Sequence, residues 1–127
     1  MLKRLSESEL DIMLIIWRAP EALDTGEIAR RLQKGWKIQA VQVILGRLVN
    51  KGYLSCEKTG RLNYYTPLVT EADYRAVETE TFVEKLYRNS PKSLIAALVQ
   101  SQPLSKEDLE EIRALLDRCL LYTSRCV

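Results

Sequence analysis

Gln39, Gln42, Arg47 and Asn50 are side chains of the kind that read base edges, and Lys37 stands just before them. Amide and guanidinium groups can bond the donors and acceptors in a duplex groove, while Ala40 and Val43 can touch a thymine methyl. The apolar residues of the same stretch give this set its meaning. Val41, Ile44, Leu45, Leu48 and Val49 fall at i, i+3, i+4, i+7 and i+8, which is one buried stripe of an α-helix. Gln39, Gln42, Val43, Gly46, Arg47 and Asn50 then collect on the opposite face. Such a helix, packed by one side and offering amides, a guanidinium, one small apolar contact and a bare backbone on the other, suits a groove of DNA.

Elements on both sides must hold that helix. Ser6-x-x-Glu9 has the form of a capping box, and the run behind it carries Leu10, Met13, Leu14 and Trp17 on one stripe, widened by Ile12 and Ile16. The run stops before Pro20. Thr25 is a good N-cap for a short second helix with Glu27 in its first turn and Ile28, Ala29 and Leu32 facing inward. Gly35 ends it, and Gly52 closes the third helix. Tyr53 to Lys58 and Leu62 to Thr66 read as strands about a Thr59-Gly60 turn, with Pro67 ending the second. Three helices and a hairpin, in that order, predict a winged helix-turn-helix over residues 1–69. In such modules the recognition helix lies in the major groove. Arg30 from the second helix, and Lys58 and Arg61 beside the hairpin tip, are then candidate phosphate contacts. The DNA-binding set is Thr25, Arg30, Lys37, Gln39, Ala40, Gln42, Val43, Gly46, Arg47, Lys58 and Arg61.

Residues 70–121 predict three more helices. Thr70 caps one running to about Arg88 and carrying Tyr74, Val77, Phe82, Val83, Leu86 and Tyr87. Beyond Asn89-Ser90-Pro91 a second carries Leu94, Ile95, Leu98 and Val99, and Pro103 breaks it. Ser105 caps a third, with Glu107, Asp108, Glu110 and Glu111 near its positive end. Its stripe is Leu109, Ile112, Leu116 and Cys119, widened by Leu115 and Leu120. So short a segment makes a thin core and is marginal alone. Pairing with a second copy through Tyr74, Phe82, Leu86, Leu94, Leu98, Leu109, Ile112 and Leu116 would cover the remaining apolar surface; folding back onto the winged helix is the alternative. Residues 122–127 form a tail without an assigned role. The expected fold is mainly α with a small β-hairpin wing, an N-terminal winged helix-turn-helix and a C-terminal three-helix dimerisation region.

Whole-chain properties bound this reading. With 46% hydrophobic and 28% charged residues among 127, the chain is globular. The longest apolar run, Ile12 to Trp17, is too short to span a bilayer, and no signal-peptide pattern precedes it. A cytoplasmic protein with no membrane partner is expected. Residues 1–69 hold 11 Lys/Arg against 7 Asp/Glu, a balance of +4, whereas residues 70–127 hold 8 against 10, a balance of −2. Between Arg30 and Arg61 eight basic residues face only Glu57. A basic half joined to an acidic one fits polyanion binding, against the plainer reading of a solvated basic surface.

Three cysteines without a close pair fit reduced thiols. Cys56, alternating with Leu54, is expected as a small core residue. No histidine is present, no glycine loop to cradle phosphate, and no metalloprotease or nucleophile-elbow motif. No enzyme, cofactor or metal site is expected. The rival from another class is a winged-helix protein-interaction adaptor without sequence-specific DNA binding, which would bind duplex no better than its charge explains.

Longer strings carry a family resemblance. They are Leu5-Ser6-x-x-Glu9-x-x-Ile12-Met13-x-x-Ile16-Trp17, Gly35-Trp36, Val41-x-x-Ile44-Leu45-x-Arg47-Leu48-x-x-Lys51-Gly52-Tyr53-Leu54 and Gly60-Arg61-x-x-Tyr64-Tyr65-Thr66-Pro67. Further along stand Glu71-x-Asp73-Tyr74, Phe82, Tyr87, Ser93-Leu94 and Leu104-Ser105-x-x-Asp108-Leu109-Glu110-Glu111-Ile112. By their order and spacing, over roughly residues 5–118, the chain resembles the BlaI/MecI family of penicillinase and methicillin-resistance repressors, which is related to CopY-type copper repressors. The resemblance implies a homodimeric transcriptional repressor that binds a pseudopalindromic operator.

The departures from the family fall where function is decided. Relatives commonly carry Ser-Pro-Lys-Thr after the tryptophan, where Lys37-Ile38-Gln39-Ala40 stands here, and a family threonine corresponds to Val43. The Asn-Phe bond cut during induction of the β-lactam repressors corresponds to Ala97-Leu98, so proteolytic induction is not implied and an upstream sensor or protease stays unidentified. The paired Cys-x-Cys motifs of copper repressors are absent; only Cys119 and Cys126 lie near the C-terminus. The altered reading face predicts an operator unlike the family's best-known sequence. Selection of bound duplexes from a random pool checks this, and recovery of the usual family operator would contradict it.

Overall fold

The computed structural model describes residues 2–126, with side chains described as far as Tyr122. Its elements run α1 (Glu7–Trp17), β1 (Leu23–Asp24), α2 (Thr25–Leu32), α3 (Ile38–Asn50), β2 (Leu54–Thr59), β3 (Leu62–Pro67), α4 (Glu71–Leu86), α5 (Pro91–Ser101) and α6 (Lys106–Cys126). The expected class holds: mainly helical, with three helices and a hairpin wing first and three helices after. Two compact units divide the chain, Met1–Thr81 and Phe82–Val127. Among the described residues no helix is long and apolar enough to cross a membrane.

In the first unit α1 begins where the sequence places it. Ser6 Oγ accepts from the Glu9 N–H at 3.3 Å, and Glu9 Oε1 accepts from the Ser6 N–H at 2.8 Å. Ile12, Met13 and Ile16 form its buried centre, whereas Leu10, Leu14 and Trp17 are half-buried. The middle of the stripe is thus Met13 together with Ile12 and Ile16, the two residues expected only to widen it. The start of α2 needs correction. Asp24, not Thr25, is the N-cap, its Oδ1 accepting from the Glu27 N–H at 3.0 Å. Leu23 and Asp24 also pair with Tyr65 and Tyr64 as a short strand that sequence periodicity did not reveal, giving a sheet of order β1-β3-β2.

Between β2 and β3 the register pairs Thr59 with Leu62, so Gly60-Arg61 is the two-residue turn. Only Gly60 has positive φ, at 66°, as the first central position of a type II′ turn requires. Cys56 is exposed, contrary to its expected core place, because beyond Leu54 every residue of β2 lies open to solvent.

The core gathers Leu5, Ile12, Met13, Ile16, Leu23, Ile28, Leu32, Val41, Ile44, Leu45, Leu48, Tyr53, Leu54, Tyr65 and Tyr74. Tyr74 is a further correction. Placed in the dimerisation set by its helical stripe, it is buried at 5% exposure in the first unit. Its hydroxyl accepts from the Leu5 N–H at 3.2 Å and donates to Glu78 Oε2 at 2.9 Å. Its ring lies 5.7 Å from that of Trp17 and edge-on to Tyr53 at 5.8 Å. Burial, and then the nearby Tyr74, Glu78 and Glu9, push the Tyr53 hydroxyl up to about 12.

In the second unit Ser90 caps α5 by accepting from the Ser93 N–H at 3.2 Å, with Pro91 in the first turn. Ser105 caps α6, accepting from the Asp108 N–H at 3.0 Å. Arg88 and Asn89 take positive φ values of 49° and 63° in the turn before α5. α6 continues through residues 122–126, which the sequence reading set apart as a tail. No described side chain from Phe82 to Tyr122 is buried.

Glu9 is the ionised group most enclosed by the fold, at 2% exposure. Burial raises its carboxyl, but the Lys51 ammonium, at 2.6 Å, and the Ser6 donors outweigh that, so the net shift is downward. A lowered folded value means stabilisation that is complete above the unfolded value and lost as pH falls through the folded one. Glu9→Gln is therefore expected to cost about 1–3 kcal/mol at neutral pH. Below the unfolded carboxyl value of about 4.3 the gap from the parent should close. Denaturant titration at a series of pH values checks this; a gap independent of pH would contradict it.

Candidate nucleic-acid interface

α3 divides into two faces as its periodicity requires. Val41, Ile44, Leu45 and Leu48 are buried and Val49 is half-buried, while Gln39, Ala40, Gln42, Val43, Gly46, Arg47 and Asn50 are all exposed. The helix starts at Ile38 with Lys37 as N-cap and no side-chain cap. Its first N–H groups carry the partial positive charge of the helix end toward solvent, a polarity that favours phosphate. At its other end the Lys51 N–H bonds Arg47 O at 2.9 Å and Gly52 turns away with φ of 84°.

Three contacts fix how the helix is presented. Lys51, just past its last turn, reaches Glu9 at the start of α1. Before its first turn, Gln33 and Gly35 adopt positive φ values of 54° and 68°, which reverse the chain between α2 and α3. Lys34 in that turn bonds Asp11 Oδ2 at 2.7 Å and lies 5.7 Å from the half-buried Trp36 ring. The Asp11 bond raises the Lys34 ammonium above its ordinary value. The sequence reading missed this clamp, because Asp11 and Lys34 are far apart in the chain and neither belongs to a local motif.

The predicted basic contacts differ in availability. Lys37, Arg47, Lys58 and Arg61 are exposed, and none has an ion-pair partner among the described residues. Arg61 occupies the hairpin tip itself. Arg30 is exposed but pairs with Glu27, which also holds Arg31 at 2.8 Å. An exposed pair of this kind is worth about 0–1 kcal/mol, so a phosphate can displace it. Thr25 is the correction here. It is buried at 9% exposure, so its side chain offers almost no surface to a ligand.

Ile38 was not singled out in the sequence. Lying three residues before Val41, it falls at the edge of the packed stripe, yet it is 50% exposed because the core ends at Val41. Of the proposed dimer contacts, Phe82, Leu86, Leu98, Leu109 and Leu116 are exposed, and Leu94 and Ile112 half-exposed, within the second unit. Ala97-Leu98 lies inside α5. Cys119 is exposed, while the Cys126 side chain lies outside the described residues.

Comparison with known proteins agrees with this geometry. The sequence profile of the penicillinase repressor family matches residues 5–118. The penicillinase repressor of Bacillus licheniformis is 31% identical over 116 residues, covering 90% of each chain. Methicillin resistance regulatory protein MecI of Staphylococcus aureus strain N315 is 29% identical over 115 residues, covering 90% of this chain and 94% of that one. The solution structure of the DNA binding domain of the repressor BlaI is similar at a TM-score of 0.52 and 34% identity, over 58% of this chain and 92% of that domain.

If the free cations meet phosphate and the α3 amides meet bases, substitutions should separate the two roles. Arg61→Ala is expected to weaken duplex binding by a similar factor on every sequence and to reduce the salt slope by about 1. Gln42→Ala should instead cost about 1–3 kcal/mol at one base pair while leaving that slope unchanged. Binding titrations at several salt concentrations, on matched and singly altered duplexes, distinguish these outcomes.

Proposed function

The chain belongs to the penicillinase repressor family, and from that premise we propose that it represses transcription as a homodimer on a pseudopalindromic operator. Each copy lays α3 in the major groove and rests its wing on the flanking backbone. Gln39, Gln42 and Arg47 face bases; Lys37, Lys58, Arg61 and Arg30 face phosphates; Ala40, Val43 and Gly46 set how closely the helix enters. The observation that carries this reading is the division of α3. Four residues on one side are almost wholly buried, while the other side shows amides and an arginine that nothing in the fold employs.

Pairing of copies is supported by the second unit. Leu86, Leu98, Val99, Leu115, Leu116, Leu120 and Leu121 are between 46% and 67% exposed, in a unit that buries none of its described side chains. Helices in proteins gain little from their own backbone, and most of their stability comes from packing an apolar face. A second copy supplies such a face by symmetry, and a twofold dimer then reads two half-sites.

Footprinting on the DNA upstream of the chain's own gene and its neighbours tests the proposal. Two protected half-sites about 34–36 Å apart, one helical turn, are expected if the protein twofold matches that of the DNA. In sedimentation the parent should be a dimer at micromolar concentration. Leu98→Glu with Leu116→Glu should give a folded monomer that has lost most of its affinity for the full site. A monomeric parent, or protection without sequence dependence, would overturn the proposal; the latter outcome marks the interaction adaptor.

A further inference from the structure

Val43 is the one large apolar side chain at the middle of the exposed face of α3, and it is 56% exposed. Its neighbours one turn away on that face are Ala40 and Gly46, three residues to either side, and a Cβ built at Gly46 would meet nothing within 4 Å. Val43 therefore projects from a low stretch of helix surface. Gln39 and Arg47 stand four residues before and after it. An exposed β-branched residue brings nothing to helix stability, since branching lowers helix propensity. Its stiffness is useful in a contact, because little side-chain freedom remains to be lost. Lys37 and Arg47 on or beside the same helix, and Lys58 and Arg61 on the wing, are exposed without carboxylate partners among the described residues. This apolar contact is thus set on a surface complementary to polyanionic duplex rather than to an apolar protein face.

We propose that Val43 is a specificity-determining residue that reads the C5 methyl group of a pyrimidine in the major groove, and not the identity of the base that carries it. The inference rests on the DNA-binding reading above. Its chemical core is what valine lacks. With neither donor nor acceptor, Val43 cannot tell the O4 acceptor of thymine from the N4 donor of cytosine, which is the polar difference between those bases in that groove. Only the methyl remains to be recognised. Thymine and 5-methylcytosine present it; deoxyuridine and cytosine do not. Gly46 lets the backbone come near enough for the contact, and the amides of Gln39 and Gln42 are left to read neighbouring pairs.

The test begins with the duplex that the full-length parent selects from a random pool. Each thymine of a half-site is replaced singly by deoxyuridine, which removes the methyl and nothing else. One replacement is expected to weaken binding about fourfold and to have no effect on Val43→Ala; burial of one methyl-sized group is worth about that factor. At the same position, duplexes with cytosine and 5-methylcytosine are compared with each other, so that the partner purine is constant. The methyl should restore about fourfold for the parent and nothing for Val43→Ala. Ile38→Ala removes an equally exposed side chain about 140° around the helix and should keep both methyl effects.

Parent binding that is indifferent to the methyl at every thymine would overturn the inference while leaving sequence-specific binding intact. So would methyl effects that persist in Val43→Ala, or a thymine effect without the matching cytosine effect. A pool that fails to converge would remove sequence-specific recognition itself, and this inference with it.

Discussion

A single buried carboxylate holds the reading head in place. Glu9 closes the capping box of α1 through the Ser6 N–H and receives the Lys51 ammonium from the end of α3. One side chain therefore fixes both where the first helix begins and where the recognition helix stops. Such a group cannot be left half-satisfied, since an enclosed charge without its partners costs several kcal/mol. Here both partners are present and no buried polar side-chain atom lacks a bond among the described residues. Asp11 and Lys34 make a second, more exposed tie between α1 and the turn ahead of α3. Between them the two contacts restrain α3 at both ends, which leaves its outer face free of structural duty.

The aromatic group of Trp17, Tyr53 and Tyr74 does corresponding work close to the Glu9–Lys51 contact, where Tyr53 and Tyr74 also hold residues 3–5. Trp17 Nε1 donates to Val69 O at 2.7 Å, Tyr53 donates to Lys3 O, and Tyr74 bonds the Leu5 N–H. Large rings with one polar atom each can be buried provided that atom finds a partner, and all three do. The chain entering α1 and the first half of α4 are thereby joined to one core. This is why the first compact unit extends to Thr81 and takes Tyr74 away from the surface set aside for a second copy. Among the described residues from Phe82 onward no side chain is buried, although the capped helices there carry apolar faces.

Much of this could be read from the chain because α-helical periodicity is a local property. The packed stripe of α3, the capping box at Ser6 and the serine caps at Ser90 and Ser105 all follow from spacings of a few residues. The misreadings share a cause. Asp24 and Thr25 are adjacent residues that can both cap a helix, and the choice depends on β1 pairing with β3, a contact across forty residues of sequence. Tyr74 sits on a helical stripe, and a stripe states that a face will be covered without naming what covers it. Cys56 was placed by strand alternation, which fails in β2, where every residue past Leu54 is exposed. The exposed face of α3 was legible from its periodicity, whereas the burial of Thr25 at the start of α2 was not.

The one-sided burial of α3 has a consequence on an evolutionary scale. Residues 39, 40, 42, 43 and 46 contact solvent and not the core, so exchanging them leaves the packing of Val41, Ile44, Leu45 and Leu48 undisturbed. Surface changes of this sort shift stability by about 0.5 kcal/mol or less, far from the threshold at which a domain unfolds. A duplicated copy of such a gene can therefore drift toward a new recognition sequence through intermediates that all fold. Regulators with insulated targets can diverge within one genome in this way, and the clamps at Glu9 and Lys34 supply the mutational robustness that makes the drift harmless.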